Sequence, residues 1–415
     1  MKNNPETRFQ EFDEEWTLTT LREISNKVME KNTDFSIREV FTNSAEHGVM
    51  SQRDFFSHAI ANDKNINSYY IIQPNDFVYN PRMSVTAPVG PINRNALGRT
   101  GIMSPLYYVF RTHNIDVEYL DSFFKTRIWH QFMWNNGDNG ARGDRFSIKN
   151  EVFQEMPIPY PYSPEEQHKI AQFFSRLDSL ITAEDKKLER LKTIKSASLE
   201  KMFPKQGETV PEVRFKGFTG AWEEHRLSDF LKVYVEKNEK DTYSKYDIFS
   251  VSNECGVINQ IKYQGKSLAG ASLKGYKVTH KDTVIYTKSP LKNQPFGIIK
   301  TNKCCSGIVS TLYAVYTVNE GIWPDFIQVF FSSDIRLNNY LRLIVNKGAK
   351  NTLLVSDEEA ISGTVVFPVD EKEQIYIAEF FSRLDSLISA QEQKIEKLRS
   401  MKKSFLEKMF MSTPK

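Results

Sequence analysis

The chain has 415 residues, too many for one typical domain, so two or three domains are expected. Its composition is that of a soluble globular protein, and a net charge of +3 does not by itself indicate a nucleic-acid binder. Three cysteines without a CxxC pair argue against a disulfide framework and a zinc site. The lack of a signal-peptide core or a long apolar run predicts a cytoplasmic protein without a membrane span.

The first part of the chain, residues 1–162, is predicted to fold as one α+β domain. Short β-type runs such as 69–72 and 107–110 alternate with turns, and helix is expected near 118–133. Regular alternation of strands and helices is absent, which argues against a doubly wound parallel sheet.

A basic window lies inside this first domain. No Asp or Glu occurs between Asp76 and Asp116, whereas several arginines and asparagines do. Arginine can bond guanine edges, asparagine can bond adenine edges, and a basic glycine loop at 140–145 is suited to phosphates. For any single residue, an ordinary solvated loop is the alternative interpretation. The predicted DNA contacts of this domain are Arg82, Asn93, Arg94, Asn95, Arg99, Arg142 and Arg145.

A long helix is predicted over 163–204. Residues 166–203 contain no Pro or Gly, and their apolar positions recur in steps of four and three, the 3.5-residue period of a coiled coil. Glu184 interrupts this apolar stripe once, and Pro204 ends the helix. At about 1.5 Å per residue the helix would extend roughly 55 Å. The predicted seam residues are Ile170, Phe174, Leu177, Ile181, Leu188 and Leu191.

After a linker at 205–210, residues 211–368 predict a second α+β domain. A β-type run at 283–286 and a helical stretch near 325–345 again lack regular alternation. A second window without acids extends from Asp282 to Glu320, and a basic glycine loop follows it. The predicted DNA contacts of this domain are Lys288, Lys292, Asn293, Gln294, Lys303, Lys350 and Asn351.

A second long helix is predicted over 369–411, with Gln391 as its single interruption. We expect the two helices to pack as an antiparallel coiled coil that relates the domains by an approximate two-fold axis. A coiled coil between two chains is the alternative, although covalent linkage favours pairing within one chain. The predicted seam residues of this helix are Ile377, Phe381, Leu384, Ile388, Ile395 and Leu398.

The two halves of the sequence are copies of one plan. Residues 166–203 and 373–410 share the block FFSRLDSLI, and a Pro-Glu-x-Arg-Phe opening occurs at 5–9 and at 211–215. The segments between these blocks have diverged almost completely. Two DNA-reading domains with different reading loops on one scaffold would produce this pattern, and ordinary drift after duplication is the alternative.

Sequence motifs of catalysis are absent. Gly265-Lys266-Ser267 resembles the end of a phosphate-binding loop, but Gln260 stands where the first glycine belongs. We find no dinucleotide-binding loop, no metal-ligand spacing and no pairing of a nucleophile with a base, so no catalytic or metal-binding residue is predicted. Two alternatives to a DNA reader are a self-sufficient DNA enzyme with an unrecognised active site and a scaffold that binds only protein.

The start of each long helix carries a motif that resembles a known family. In the first copy the motif comprises Pro159 or Pro161, Glu166-Gln167, Ile170, Phe174, Leu177, Asp178 and Ile181. In the second copy it comprises Pro368, Glu373-Gln374, Ile377, Phe381, Leu384, Asp385 and Ile388. The motif, and the order of domain, helix, domain and helix, resemble the specificity (S) subunits of type I restriction–modification systems.

This resemblance implies two target recognition domains, each reading one part of a split, asymmetric DNA site, with the helices setting the unread spacer. It implies no enzymatic activity in the chain itself. The implied partners are double-stranded DNA, two modification subunits that use S-adenosylmethionine to methylate adenine N6, and possibly two restriction subunits that use ATP and Mg. The chain itself would hold no cofactor and would act in a bacterial or archaeal cytoplasm.

Overall fold

The computed structural model describes residues 4–55, 66–140, 143–270, 272–291, 293–347 and 353–411. The chain divides into two compact units, one made of residues 1–185 with 393–415 and the other of residues 186–392. Each unit contains one of the β-rich halves together with part of both long helices. The predicted boundaries instead separate the helices from the globular halves.

The first unit mixes short helices and short strands with portions of the long helices. Its helices are α1 (Leu21–Ile24), α2 (Gln52–Phe55), α3 (Val117–Phe124), α4 (Ile128–Asn136), α5 (Asn150–Gln154), the start of α6 (Pro164–Lys201) and the end of α11 (Glu371–Lys408). Its strands are β1 (Thr17–Thr20), β2 (Ser25–Lys27), β3 (Val40–Ser44), β4 (Gly48–Ser51), β5 (Tyr70–Ile72), β6 (Phe77–Tyr79), β7 (Ile92–Arg94), β8 (Gly101–Met103), β9 (Tyr108–Thr112), β10 (Asp138–Asn139), β11 (Phe146–Ser147) and β12 (Pro157–Tyr160).

The second unit repeats these elements in the same order, with a 3-10 helix (Glu359–Ile361) in the place of α5. Its helices are the end of α6, α7 (Leu227–Phe230), α8 (Gln260–Gln264), α9 (Pro324–Phe330), α10 (Asp334–Arg342) and the start of α11. Its strands are β13 (Glu223–Arg226), β14 (Leu231–Val233), β15 (Phe249–Ser252), β16 (Gly256–Asn259), β17 (Lys277–Thr279), β18 (Val284–Tyr286), β19 (Ile299–Thr301), β20 (Gly307–Val309), β21 (Ala314–Val318), β22 (Asn346–Lys347), β23 (Leu353–Leu354) and β24 (Thr364–Phe367).

Each unit is built around a four-stranded antiparallel sheet. The strand order is β2-β9-β6-β7 in the first unit and β14-β21-β18-β19 in the second. The first unit adds a sheet of order β4-β3-β8-β5, in which β3 and β8 are parallel. The second unit has β15-β16 and β17-β20 as pairs, with a parallel bridge between Ile248 and Ile308 in the corresponding place. Segments that share little sequence therefore keep the same topology.

The helical stretches predicted near 118–133 and 325–345 are each two helices. Asp116 caps α3, since its side chain accepts hydrogen bonds from the backbone N–H groups of the first turn. In the second unit Ser333 caps α10 in the same way, and this cap marks the break after α9. Apolar periodicity continues through both breaks, so the sequence pattern alone does not locate them.

The core of the first unit is aromatic and includes residues from both long helices. Ile170 and Phe174 of α6 are each 1% exposed. The ring of Phe174 stacks on Phe410, which follows α11, with centroids 6.0 Å apart. Phe410 also contacts Phe123 of α3 at 5.9 Å. The end of the last helix therefore completes the core of the domain that begins the chain.

The second unit has the same arrangement. Phe203, just after α6, lies 6.2 Å from Phe381 of α11 and 5.9 Å from the ring of Trp222. Ile377 joins this cluster and is 2% exposed. The predicted coiled-coil seam is corrected at the first two seam positions of each helix, which are Ile170, Phe174, Ile377 and Phe381. They lie in the globular cores, where Phe174 contacts Phe410 and Phe381 contacts Phe203.

The remaining predicted seam residues are buried or half-buried: Leu177, Ile181, Leu188, Leu191, Leu384, Ile388, Ile395 and Leu398. Ion pairs beside them establish the antiparallel direction. In the first unit Asp178 pairs with Lys402, and Asp185 pairs with Arg399 at 2.9 Å.

The second unit has the same direction of pairing, with Lys192 bound to Glu392 at 2.9 Å and Lys195 bound to Asp385 at 2.6 Å. The predicted antiparallel coiled coil is confirmed within each unit. Of the polar interruptions, Glu184 binds Lys394 at 2.5 Å, and Gln391 is buried.

No helix in the described part of the chain is long and apolar enough to cross a membrane.

Candidate nucleic-acid interface

Each recognition half is attached to its long helix by a buried ion pair. Glu166 in the first turn of α6 is 1% exposed, and Arg8 donates two hydrogen bonds to its carboxylate at 2.6 and 2.7 Å. Glu373 of α11 is fully buried and receives the same two bonds from Arg214. The bond to Glu166 raises the pKa of Arg8. Because a buried carboxylate without a cation is costly, the arginine and the glutamate recur together.

The glutamine of each Glu-Gln motif connects the helix to the preceding strand. The Gln167 side chain donates to the Pro161 carbonyl at 2.8 Å and accepts from the Asp116 backbone N–H at 2.9 Å. Gln374 donates to the Pro368 carbonyl at 3.1 Å and accepts from the loop before α9 at 2.8 Å. The shared motif residues thus hold the scaffold together, which leaves DNA contact to the diverged loops.

The side chain of Asn95 anchors the loop between β7 and β8 in the first unit. This side chain is fully buried, donates to the Gln73 and Arg99 carbonyls at 2.9 and 3.0 Å, and accepts from the Leu97 N–H at 3.2 Å. Its amide is therefore satisfied inside the protein and does not reach a base edge. The sequence-based prediction of a DNA contact at Asn95 is wrong, because the residue anchors the loop instead.

Asn302 has the equivalent position in the second unit. It is also fully buried, accepts from the Cys304 N–H at 3.0 Å and donates to the Cys305 carbonyl at 2.9 Å. The two units therefore build this loop on the same buried amide, and only the tips of the loops differ.

The neighbouring Asn93 and Arg94 also make contacts inside the first unit. The Asn93 amide donates to Asn43 Oδ1 at 2.7 Å. Arg94 donates to Asn75 Oδ1 at 2.7 Å, and its half-buried guanidinium lies 3.9 Å from an oxygen of Asp121. A DNA contact from either residue would require these bonds to break, so both are weak candidates for base reading.

Arg82 and Arg145 are brought together although they are 63 residues apart in the sequence. Their backbones form an antiparallel bridge, extended by a bond from the Met83 N–H to the Asp144 carbonyl at 3.0 Å. Both side chains are exposed, and no carboxylate of the described residues lies within ion-pair distance of either guanidinium. This arginine pair is thus the strongest candidate for contact with phosphates or guanine edges in the first unit.

The tip of the loop beside the arginine pair also carries Val85, whose side chain is completely exposed. Sequence reasoning did not select this residue, since a single valine in a polar loop has no distinctive pattern. An exposed apolar side chain next to two cations suits contact with a thymine methyl group.

A lysine in the corresponding loop of the second unit has a different environment. The ammonium group of Lys288 binds Asp357 and donates to the Val355 carbonyl at 2.9 Å. Lys277 binds the other oxygen of the same carboxylate at 2.5 Å. Burial acts to raise the pKa of Asp357, and the two lysines outweigh it and lower the pKa. Lys288 therefore holds the loop in place. The prediction that Lys288 is free to contact DNA is wrong.

Two further predicted cations form surface ion pairs. Arg99 binds Glu39 through both oxygens at 2.7 to 3.0 Å, which raises the pKa of Arg99. Lys303 lies 3.1 Å from Asp325. Both side chains remain about half exposed, and exposed pairs of this kind contribute little stability, so exchange with DNA phosphates costs little. DNA contact by Arg99 and Lys303 stays a prediction.

The turn at 291–297 of the second unit contains one buried and one exposed amide. Gln294 is 4% exposed and binds Asp334 at 2.5 Å, so it anchors the turn and is not available to a base. Asn293 is exposed beside it, and its DNA contact stays a prediction. Four predicted contacts lie outside the described residues: Arg142, Lys292, Lys350 and Asn351.

The second unit also has a basic concave surface that the sequence analysis did not select. It is lined by Lys245, Lys266 and Lys274, with the exposed ring of Tyr246 beside them. Asp241 lies 3.5 Å from Lys274, which leaves the other two lysines as the net positive charge. Lysines spaced along a groove next to an aromatic ring are suited to a nucleic-acid backbone.

Residues 14–193 match the family model of the type I restriction modification DNA specificity domain. The matched segment contains the arginine pair, the Asn95 anchor and most of α6. This part of the chain is a type I restriction modification DNA specificity domain. The family resemblance found in the sequence is thereby confirmed, and the exposed loops of the specificity domain become its candidate DNA-contacting surface.

One curated relative supports the same assignment over a limited region. The chain is similar to the type I restriction enzyme MjaIX specificity subunit of Methanocaldococcus jannaschii, with 32% identity over 153 residues. That match covers 35% of this chain and 31% of the relative. The chain thus matches about a third of the relative's length.

Two solved structures share the fold over nearly the whole chain. The S subunit of a type I restriction–modification system from M. genitalium has a TM-score of 0.58 at 13% identity, covering 99% of this chain and all of that one. A chain from a study of complex assembly and conformational transition in a type I system has a TM-score of 0.51 at 12% identity, covering 95% and 97%. The predicted class of two tandem α+β recognition domains with two long helices is confirmed.

Proposed function

We propose that this chain is the non-catalytic, sequence-specific DNA-recognition subunit of a type I restriction–modification complex. Each unit reads one part of a bipartite, asymmetric DNA site. The paired helices hold the two readers and set the length of the unread spacer. The observation that carries the proposal is the repeated scaffold with different exposed loop tips, whose first copy is a DNA specificity domain.

The difference between the loops supports an asymmetric site. The first unit presents Arg82 and Arg145 as exposed cations, while Lys288 in the corresponding loop of the second unit is bound to Asp357. Base recognition depends on which donors reach the groove, so two units with different donors read different bases. Both readers would use phosphate contacts for position and a few side chains for sequence.

Catalysis belongs to partner subunits in this proposal. Two modification subunits use S-adenosylmethionine to methylate adenine N6 at the site that this chain selects. Restriction subunits, which use ATP and Mg, can join the same assembly.

The chain offers its own test, because its two recognition halves share one scaffold. Residues 211–368 are replaced by residues 5–162, so that the protein carries the first reader twice. When this variant is produced with its modification subunit, we expect methylation of a symmetrical site built from two copies of the first half-site. Sequencing of methylated adenines in genomic DNA measures the motif, with the unchanged chain as the control.

Two outcomes, one of this exchange and one of a separate assay of the purified chain, would contradict the proposal. A methylated motif identical to that of the unchanged chain would mean that residues 211–368 read no bases. Methylation or cleavage by the purified chain alone, supplied with S-adenosylmethionine or with ATP and Mg²⁺, would show an enzyme rather than a reader. Circular dichroism and thermal melting of the variant establish that it is folded before its motif is interpreted.

A further inference from the structure

Two adjacent cysteines occupy the tip of a loop in the second unit. Cys304 and Cys305 lie between β19 and β20, both are exposed, and their Sγ atoms are 3.1 Å apart. The third cysteine, Cys255, is also exposed but lies in the turn between β15 and β16. The pair therefore combines proximity with access to solvent, the two conditions for a reaction that needs both thiols.

The loop that carries the cysteines is anchored by a buried side chain. The fully buried Asn302 side chain accepts a bond from the Cys304 N–H and donates one to the Cys305 carbonyl. Asn302 therefore binds the backbone of both cysteines. Asn95 holds the corresponding loop of the first unit in a similar way, accepting from the Leu97 N–H and donating to the Arg99 carbonyl. The shared anchor shows that the two thiols are an addition of the second unit and not a requirement of the loop.

A metal centre does not explain the pair. A structural zinc site takes four ligands, and no group of three or more His, Cys, Asp or Glu side chains is gathered among the described residues. Two thiols without further ligands are instead suited to reagents that bond to two sulfurs, such as trivalent arsenicals, or to an oxidant that couples the sulfurs to each other.

We propose that Cys304 and Cys305 form a reactive vicinal dithiol, which binds trivalent arsenicals when reduced and closes to a disulfide with hydrogen peroxide. One thiolate attacks a peroxide oxygen, the O–O bond breaks, and a sulfenic acid and hydroxide form. The second sulfur then attacks the sulfenic sulfur, the S–S bond forms and water leaves. Two electrons pass from the sulfurs to the peroxide, and the two thiol protons end in water.

The closed ring would be strained and hence easily reduced. Neighbouring Cα atoms are about 3.8 Å apart, below the roughly 4.4 to 6.8 Å of ordinary disulfides. Strained, exposed disulfides are more readily reduced than structural ones. Closing the ring must also turn the peptide between the cysteines, which changes the relative position of the Cys304 N–H and the Cys305 carbonyl that Asn302 holds. Oxidation therefore reshapes the loop that carries Lys303.

The experiment uses the full chain, reduced with dithiothreitol and desalted, and follows its intact mass. With phenylarsine oxide we expect one arsenical bound per wild-type chain. With hydrogen peroxide we expect the mass to fall by two hydrogen atoms and to return after dithiothreitol. Cys304→Ser and Cys305→Ser should each abolish both changes, whereas the matched Cys255→Ser variant should retain both.

Three results would overturn the proposal. They are arsenical binding that persists in Cys304→Ser, peroxide products that only gain oxygen, and disulfide-linked dimers that disappear in Cys255→Ser. All three serine substitutions are at exposed positions, so unchanged thermal melting is expected and confirms that each variant is folded.

A second measurement tests the consequence for DNA, and this part alone rests on the proposed function. Oxidation should lower the affinity of the complex for its own site by about tenfold, the scale of one hydrogen bond to a charged group. Reduction should restore it, and Cys304→Ser should be insensitive. If the mass changes occur as expected but the affinity for DNA is unchanged, the proposed effect on DNA binding is wrong and the proposed dithiol chemistry still holds.

Discussion

The two units hold corresponding loops with the same buried side chains and then differ at the loop tips. Asn95 and Asn302 make equivalent bonds, yet one supports a tip with Arg99 and the other a pair of cysteines. Arg82 is exposed beside Arg145, whereas Lys288 in the corresponding loop of the second unit is bound to a carboxylate. Buried polar contacts keep the scaffold constant because losing one is costly, and exposed tips are free to change.

The units differ in their interiors as well. Trp16 Nε1 donates to Glu166 at 3.2 Å, while the buried Trp222 Nε1 has no hydrogen-bond partner among the described residues. The first unit buries His130 of α4, while in the second unit Arg336 of α10 donates to the Leu199 carbonyl near the end of α6 at 2.9 Å. Each difference gives a way to perturb one unit and compare it with the other.

The largest effect should come from the buried ion pairs. Glu166→Ala and Glu373→Ala should each lower the free energy of unfolding by about 3–5 kcal/mol, because an arginine loses its buried partner. Glu166→Ala should cost about 1 kcal/mol more, since Trp16 also loses an acceptor. Urea denaturation measures both, with the exposed Glu165→Ala as control. A greater loss for Glu373→Ala would contradict this comparison.

A smaller effect is expected at the exposed arginine pair. Arg82→Ala and Arg145→Ala should each weaken binding of the complex to its site by about 1–3 kcal/mol and leave folding unchanged. Lys288→Ala should instead destabilise the second unit, since Asp357 loses one of its two cations. Fluorescence anisotropy with site-containing and mismatched duplexes measures the affinity. If Lys288→Ala weakened binding as much as Arg82→Ala without loss of stability, the assigned difference would be wrong.

The smallest expected effects are changes of stability with pH, which differ between the two units. Burial, with Arg127 adding to it, lowers the pKa of His130 to about 4. Between about pH 6.5 and pH 4 the unfolded chain binds a proton that the folded chain does not, so the first unit loses stability as the pH falls. Arg336 stays charged throughout this range, although burial lowers its pKa to about 10.

The second unit should respond at alkaline pH. Burial, with Lys195 as the next contribution, lowers the pKa of Lys300 to about 8. Below pH 8 both states bind the proton, and between about pH 8 and 10.5 only the unfolded chain does, so stability rises with pH in that range. Hydrogen exchange resolved by unit should show each trend. His130→Leu should flatten the acid response and Lys300→Met the alkaline one, and a trend that survives its own substitution would refute the assignment.

Sequence periodicity and repetition were sufficient to predict the architecture. The tandem α+β halves, the two long helices and most of the seam are local properties of the chain, because spacing along a helix determines which side chains share a face. The Arg-Phe opening and the Glu-Gln motif were also recognisable, since a buried carboxylate and its arginine must be kept together. The break between α9 and α10 is marked by capping at Ser333 that the apolar pattern does not show.

Only the tertiary structure decided which polar residues remain available to DNA. The two sequence windows contain no Asp or Glu, but acidic residues from elsewhere in the chain lie next to them in the fold. Glu39 binds Arg99 from 60 residues away, and Asp357 binds Lys288 from 69 residues away. Burial of Asn95 and Gln294 is equally invisible in the sequence. Electrostatic pairing and burial depend on distances in the folded chain, whereas the helical and strand periods depend on neighbours along it.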